Sequence, residues 1–287
     1  MVKAILNGLL PQSFTGKAAP PIAVGEPPPP EYRSSHPPLE IKDARVLQSS
    51  ERSEAQFFAR YGFVLLEHAT AVRDWDCDVG PIYLPEIEQI IRNRLLPGRR
   101  IEIQQHPKLL RRGRGTSTPF YAEGVHSDGP LTADAYALNI RAFASPGGEA
   151  WWRQSYARAE VAGFMSIDFW RTTNMSGPLS HMPLAMCDPN SIQCADILAS
   201  RMTGIAPAGA TTHHLALRFN EGQQWYYYPE MTGEELIAFK LNEFWKDDPA
   251  AAPQNVFHSA FLDPGAPIDA EERQSCEHRV GVMILRD

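Results

Sequence analysis

The last third of the chain most constrains how it can fold. From Leu215 onward it breaks into short runs that are aromatic or β-branched: Leu215–Asn220, Gln224–Tyr228, Leu236–Lys240, Val256–Phe261 and Cys276–Leu285. Each is bounded by Gly, Pro or Asp, the pattern of successive strands. Upstream, helical signal covers Glu51–Arg60, Ala133–Phe143 and Glu149–Ala159, and Leu84, Ile87, Ile91 and Leu95 recur at helical spacing up to Gly98. Pro189–Arg201 is predicted as a further helix, with Asp188 as N-cap and Pro189 at its first position. Strands are expected at Gly62–Glu67, Arg100–Gln105, Thr118–His126 and Ala162–Arg171. Short strands behind a helical layer predict an α+β, mainly β fold, a jelly-roll core with helices packed on one side.

Nine of the 25 prolines fall within the first 40 residues, including the run Pro27 to Pro30. Proline fixes φ and lacks an amide donor, so residues 1–40 read as an extended arm contributing little to the core. Residues 41–287 form the single folded domain. A chain starting near Leu39 is expected to keep its stability.

The net charge of −7 argues against a nucleic-acid partner, since phosphate neutralisation needs clustered Lys and Arg. The basic cluster Lys108 to Arg114 is short and reads as a solvated strand end. Four cysteines without a C-x-x-C pair fit neither a disulfide framework nor a zinc knuckle, which points to a reducing, cytoplasmic setting. No apolar run reaches the roughly 18 residues that span a bilayer, so no membrane partner is expected. Oligomeric state is not legible.

The sharpest local feature is His126-Ser-Asp128. On a strand, side chains two apart share a face, so this imidazole and carboxylate converge on one ion. Two histidines and one carboxylate with open positions form the facial arrangement of non-haem iron(II) oxygenases. The second histidine is best supplied by His258, in the β-type run Asn255–Phe261 that stops at Asp263-Pro264. His213 and His214 are adjacent, so only one could ligate, and Thr211–His214 reads as a loop. His36, His68, His106 and His181 sit beside loop or proline signals and read as solvated.

A 2-oxoglutarate enzyme also needs a cation for the far carboxylate of its cosubstrate, and the planar fork of Arg fits best. Arg279 lies inside the apolar run Cys276–Leu285, where a guanidinium is costly to bury unless it meets an anion. That anion is either 2-oxoglutarate or an internal partner such as Glu277 or Asp263. Arg273, in an Arg-x-Ser arrangement with Ser275, is the competing candidate and is expected to be the more exposed. Arg171 shares a strand face with Met165, Ile167 and Phe169. It and its neighbour Trp170 are candidate substrate-binding residues, an internal ion pair being the other reading of Arg171.

In this order the motifs resemble a fungal and bacterial hydroxylase/desaturase family that includes gibberellin desaturase-like proteins and a cephamycin-cluster protein. The resemblance runs through Asp43-Ala-Arg45, Tyr61-Gly-Phe63, His126-Ser-Asp128, Trp170-Arg171 and Pro183–Asp188. It continues in Trp225–Pro229, Glu235–Lys240, His258-Ser-Ala-Phe261 and Arg273–Arg279. It implies a double-stranded β-helix core, iron(II), 2-oxoglutarate and O2, and a small-molecule substrate in secondary metabolism. Two stretches depart from the family pattern: Gly129-Pro130 after the His-x-Asp pair, and Thr172-Thr173 where Pro and Leu are usual. Two other readings remain open here. One is a cupin-like metal dioxygenase or hydrolase without 2-oxoglutarate, which has no need of Arg279. The other is a non-catalytic jelly-roll binding protein.

Overall fold

The structure, a computed structural model, describes residues 1–33, 36–105, 109–116, 118–119, 121–143 and 146–286. His106 and Lys108 lie outside the described residues. The chain begins β1 (Val2–Ala4), β2 (Ile22–Ala23), β3 (Leu39–Asp43), α1 (Ala44–Gln48), α2 (Glu54–Tyr61), β4 (Phe63–Glu67), α3 (Leu84–Ile90), β5 (Ile101–Gln105) and β6 (Leu110–Arg112). It continues through α4 (Ala133–Phe143), α5 (Pro146–Ala157), β7 (Val161–Thr172), β8 (Leu184–Cys187), β9 (Ile197–Thr203) and β10 (Thr212–Leu217). It ends with β11 (Trp225–Tyr227), β12 (Glu235–Trp245), β13 (His258–Ala260) and β14 (Ser275–Leu285).

The strands form the expected jelly roll. One sheet has the order β4-β12-β7-β14-β5, with β6 also paired to β14. Facing it are the sheet β1-β3-β11-β8-β13 and the sheet β10-β9-β2. Residues 126 and 127 join these two: His126 bridges His258 of β13, and Ser127 bridges Leu215 of β10. The segment carrying the His-x-Asp pair is therefore the seam between two sheets.

Side-chain alternation along β7 divides the interior. Met165, Ile167 and Phe169 enter one core with Phe57 and Phe58 of α2 and Ile87 of α3. Ser166, Asp168, Trp170 and Thr172 take the opposite face, toward the second sheet. At the end of that face α4 and α5 close the structure, with Tyr136 and Trp152 packed on Phe164 at ring separations of 4.7 and 5.2 Å. Several resemblance motifs are scaffold. Asp43 caps α1 by accepting from the Arg45 amide, while Arg45 pairs with Glu235 at 2.6 Å. Tyr228 bonds Gln48 at 2.6 Å.

Three expectations are corrected. The predicted helix Pro189–Arg201 is instead two short 3-10 turns followed by β9. Asp188 does cap the first turn, accepting from the Asn190 amide. Beyond it, pairing with β10 from Ile197 to Met202 prevails over helical propensity. The predicted loop at Thr211–His214 is largely strand, since β10 begins at Thr212.

The N-terminal arm is the third, because it is built into the fold. Leu6, Leu9 and Leu10 are each at most 1 % exposed. Leu6 and Leu9 pack with Ile41, Ala185, Cys187, Trp225 and Phe257 on the outer face of the five-stranded sheet. The arm also touches the seam. The Val125 amide donates to the Asn7 carbonyl at 2.7 Å. Gly8, at φ +84°, lies so close that a Cβ there would stand 2.6 Å from the Val125 nitrogen. Proline density made the arm extended, but its leucines pack as core residues do.

Candidate metal centre and cosubstrate pocket

His126, Asp128 and His258 converge: one potential ligand atom from each lies within 4.8 Å of the others. The His126 and His258 backbones exchange hydrogen bonds of 3.2 and 3.0 Å, which sets their rings 4.5 Å apart. The Nε2 atoms of His126 and His258 lie 3.7 Å from Oδ1 and Oδ2 of Asp128, respectively. Each histidine uses Nδ1 on a backbone carbonyl, Gly124 at 2.6 Å and Val256 at 3.1 Å. A carbonyl only accepts, so Nδ1 carries the proton and both Nε2 lone pairs face the cluster. That tautomer is the one a metal requires.

The chain leaves this cluster through Gly129, where a Cβ would stand 2.2 Å from the Leu241 carbonyl oxygen. Only glycine fits, which gives the first departure from the family pattern a packing cause. Asn255 straps the same turn, donating to the Gly129 carbonyl at 2.9 Å. His214, read as a loop residue, is instead buried on β10 with Nδ1 3.5 Å from Asp128 Oδ1. Its strand was missed, so its approach to the site was missed too.

Burial alone would raise the Asp128 pKa, but Arg279, His126, His214 and His258 hold it well below the usual carboxylate range. Burial, with His126 alongside, pulls His258 down to about 4 from 6.5. In the metal-free protein the folded state therefore resists protonation at His258 while the unfolded state accepts it. Stability is expected to fall as pH drops from about 6.5 to about 4, by on the order of 3 kcal/mol. Urea titrations across that range, comparing wild type with His258→Gln, measure it. A pH-independent difference between the two would show that His258 is not held neutral.

Beside the cluster is a cavity lined by Arg112, Ala122, His126, Trp170, Leu184, Phe239, His258, Ala260, Arg273 and Glu277. Here the two arginine candidates separate. Arg273, expected to be the more exposed, is 2 % exposed, whereas the Arg279 side chain is 36 % exposed. Arg273 donates to the Met182 carbonyl and lies over the rings of Tyr121 and Trp170 at 4.3 and 5.4 Å. Among the described residues its Nε has no hydrogen-bond partner, and neither does Ser275 Oγ or Thr172 Oγ1, which sit on paired positions of β14 and β7. Burial pulls the Arg273 pKa down to about 10, despite Glu277 and Tyr121. Arg279 does not line the cavity; it donates to Asp128 Oδ2 at 2.9 Å and lies 3.5 Å from Glu277.

Of the substrate candidates, Trp170 lines the cavity and Arg171 does not. Arg171 points to the opposite face of β7, where it bonds His68 and the Gly233 carbonyl and lies 5.9 Å from the Trp75 ring. Adjacent strand residues cannot both face one cavity. In the basic cluster, Arg111 pairs with Asp76 at 2.7 Å and Arg112 with Glu277 at 2.6 Å.

A family model described as "Oxidoreductase/YMDC permease-like domain" matches residues 14–283. The chain belongs to this family. Among its relatives, alpha-ketoglutarate-dependent dioxygenase phiK of Fungal sp. is 24 % identical over 258 residues, 86 % of this chain and 85 % of that protein. Hydroxylase/desaturase asaB of Aspergillus flavus is 28 % identical over 128 residues, 41 % of this chain and 54 % of that protein. The resemblance to the hydroxylase/desaturase family is thus borne out. The solved structure of iron and alpha-ketoglutarate-dependent endoperoxidase NvfI aligns with a TM-score of 0.68 at 21 % identity, covering 93 % of this chain and 94 % of that one. A variant of it gives 0.70 at 20 % identity, covering 99 % of each. At such identity the likeness establishes the fold. Among the described residues, no helix is long and apolar enough to cross a membrane.

Proposed function

We propose that this chain is an iron(II)- and 2-oxoglutarate-dependent oxygenase that hydroxylates or desaturates a small molecule in secondary metabolism. The observation that carries the reading is the cluster of His126, Asp128 and His258, with both Nε2 atoms turned inward and the carboxylate ionised. The relatives named as alpha-ketoglutarate-dependent dioxygenase and hydroxylase/desaturase support it. His126, Asp128 and His258 would hold the iron. Arg273, with Ser275 and Thr172, would hold the far carboxylate of 2-oxoglutarate. Among the described residues, Arg273 Nε at the cavity and the nearby Ser275 Oγ and Thr172 Oγ1 are buried atoms without hydrogen-bond partners, which fits an absent anion, because unpaired polar atoms are otherwise costly there. Thr172, the second departure from the family pattern, is paired across the sheet with Ser275.

Bound together, iron and 2-oxoglutarate would activate O2, the oxidant for C–H cleavage, while 2-oxoglutarate gives up two electrons and leaves as succinate and carbon dioxide. The chain positions and shields them. Trp170, Leu184, Phe239, Ala122 and Ala260 form an apolar wall that keeps water from the reacting centre, and the Arg112–Glu277 pair offers the cavity a charge-balanced polar patch. The four unpaired thiols accord with a reducing, cytoplasmic setting. The acidic composition accords with a small-molecule substrate in preference to nucleic acid.

The test is anaerobic addition of iron(II) and then 2-oxoglutarate. A weak visible charge-transfer band is expected on the second addition, and its absence would sink the cosubstrate assignment. In the same assay Arg273→Leu removes a charge-assisted contact worth about 1.5–3 kcal/mol. Its demand for 2-oxoglutarate, read as succinate formed in air, should rise on the order of ten- to a hundredfold. Unchanged demand would return the role to Arg279.

A further inference from the structure

The two carboxylate oxygens of Asp128 keep different company. Oδ1 lies 3.7 Å from His126 Nε2 and 3.5 Å from His214 Nδ1. Oδ2 accepts from Arg279 Nη2 at 2.9 Å and lies 3.7 Å from His258 Nε2. A carboxylate on a single rotatable bond could present either oxygen, or both, to a cation. A guanidinium hydrogen bond to one of them removes that freedom and leaves Oδ1 as the freer oxygen.

Arg279 is itself held from behind. It sits on β14 directly opposite Asp168 of β7, with Nε 3.7 Å from Asp168 Oδ2 and Nη2 3.5 Å from Glu277 Oε2. The other Glu277 oxygen accepts from Arg112 at 2.6 Å. Asp168 is fully buried, and among the described residues neither of its oxygens has a hydrogen-bond partner. Arg279 is its one ion-pair partner among the described residues. A buried carboxylate without hydrogen bonds is costly and calls for a reason. Its place behind the guanidinium supplies one: burial and Glu277 raise the Asp168 pKa, Arg279 pulls it back down, and that mutual attraction keeps the guanidinium facing Asp128.

We propose that Arg279 is the positioning residue of the metal centre, holding the Asp128 carboxylate in one orientation with Asp168 as its anchor. The proposal rests on the reading of His126, Asp128 and His258 as ligands. It explains why Arg279, although inside an apolar strand, lies outside the lining of the cosubstrate cavity and reaches Asp128 instead. Partners of a metal's ligands generally tune affinity by ten- to a hundredfold, and a planar fork reaching two carboxylates is not reproduced by an ammonium.

The experiment uses the full chain, metal-free, titrated with cobalt(II) by calorimetry, with the ligand-field spectrum of the loaded protein recorded. Wild type should bind one ion and His258→Ala should lose it. If wild type binds none, or His258→Ala binds as tightly, the ligand assignment falls and the proposal with it. Given that assignment, Arg279→Met should bind cobalt ten- to a hundredfold more weakly with shifted ligand-field bands. Arg279→Lys should recover part of the affinity. The isosteric Asp168→Asn should move affinity and spectrum in the same direction, and it decides the matter if Arg279→Met does not fold. Arg273→Leu should keep wild-type cobalt affinity and spectrum, which separates the two arginines. Wild-type affinity and bands in Asp168→Asn and in any folded Arg279→Met would overturn the positioning role while leaving the ligand assignment intact.

Discussion

His126→Ala and His258→Ala are each expected to bring iron-dependent turnover below detection while leaving the far-ultraviolet circular dichroism unchanged. An open metal site is not a structural staple, so losing a ligand removes chemistry before it removes the fold. Asp128 needs a gentler change. Its carboxylate partners Arg279 at 2.9 Å, and removing one member of a buried pair costs about 3–5 kcal/mol through the charge left behind. Asp128→Asn keeps the shape and one acceptor, and it should be inactive yet folded. The measurement is succinate formation with added iron(II), beside a metal titration. Normal turnover in His258→Ala would overturn the ligand set, and His214, 3.5 Å from Asp128, would then be the next histidine to replace.

Removing residues 1–38 is expected to leave a chain that does not fold. Leu6, Leu9 and Leu10 are essentially inaccessible, and each buried leucine is worth about 1.5–3 kcal/mol. Three of them amount to roughly 5–9 kcal/mol, against a total stability of about 5–15 kcal/mol for an ordinary domain. The loss also reaches the site, because the Asn7 carbonyl that accepts from Val125 stands one residue from His126. Soluble yield, thermal midpoint and iron affinity of the truncated chain measure this. A truncated protein with the midpoint and affinity of the full chain would show the arm to be an appendage.

The arm shows how far composition reaches. Nine prolines in 40 residues do dictate an extended path, because φ is fixed and helix is excluded. Whether that path is solvated or packed depends on a receiving surface, here the outer face formed by Ile41, Ala185, Cys187, Trp225 and Phe257. These residues lie far apart along the chain, and no local pattern announces that they meet. The segment Pro189–Arg201 is similar. Its capping residues are genuine and do begin a turn at Pro189, but the hydrogen-bonded ladder with β10 captures the rest.

Local order along the chain determined most strands of the jelly roll, though not β9, and it singled out His126 with Asp128, although that segment forms isolated bridges and no strand. The strand period of two allowed both arginines of the cosubstrate question, because residues 275, 277 and 279 share parity on β14 and Arg273 stands two residues before it. It also bears against offering Trp170 and Arg171 together as substrate-binding residues, since neighbours on β7 face opposite sides. What alternation could not supply was the identity of the group opposite each position. Asp168 across from Arg279, Asp128 brought to it from the sheet seam, and the open cavity beside Arg273 exist only once the two sheets have closed. Which anion a buried arginine meets is set by neighbours up to 151 residues away in sequence, and that is a property of the packed structure alone.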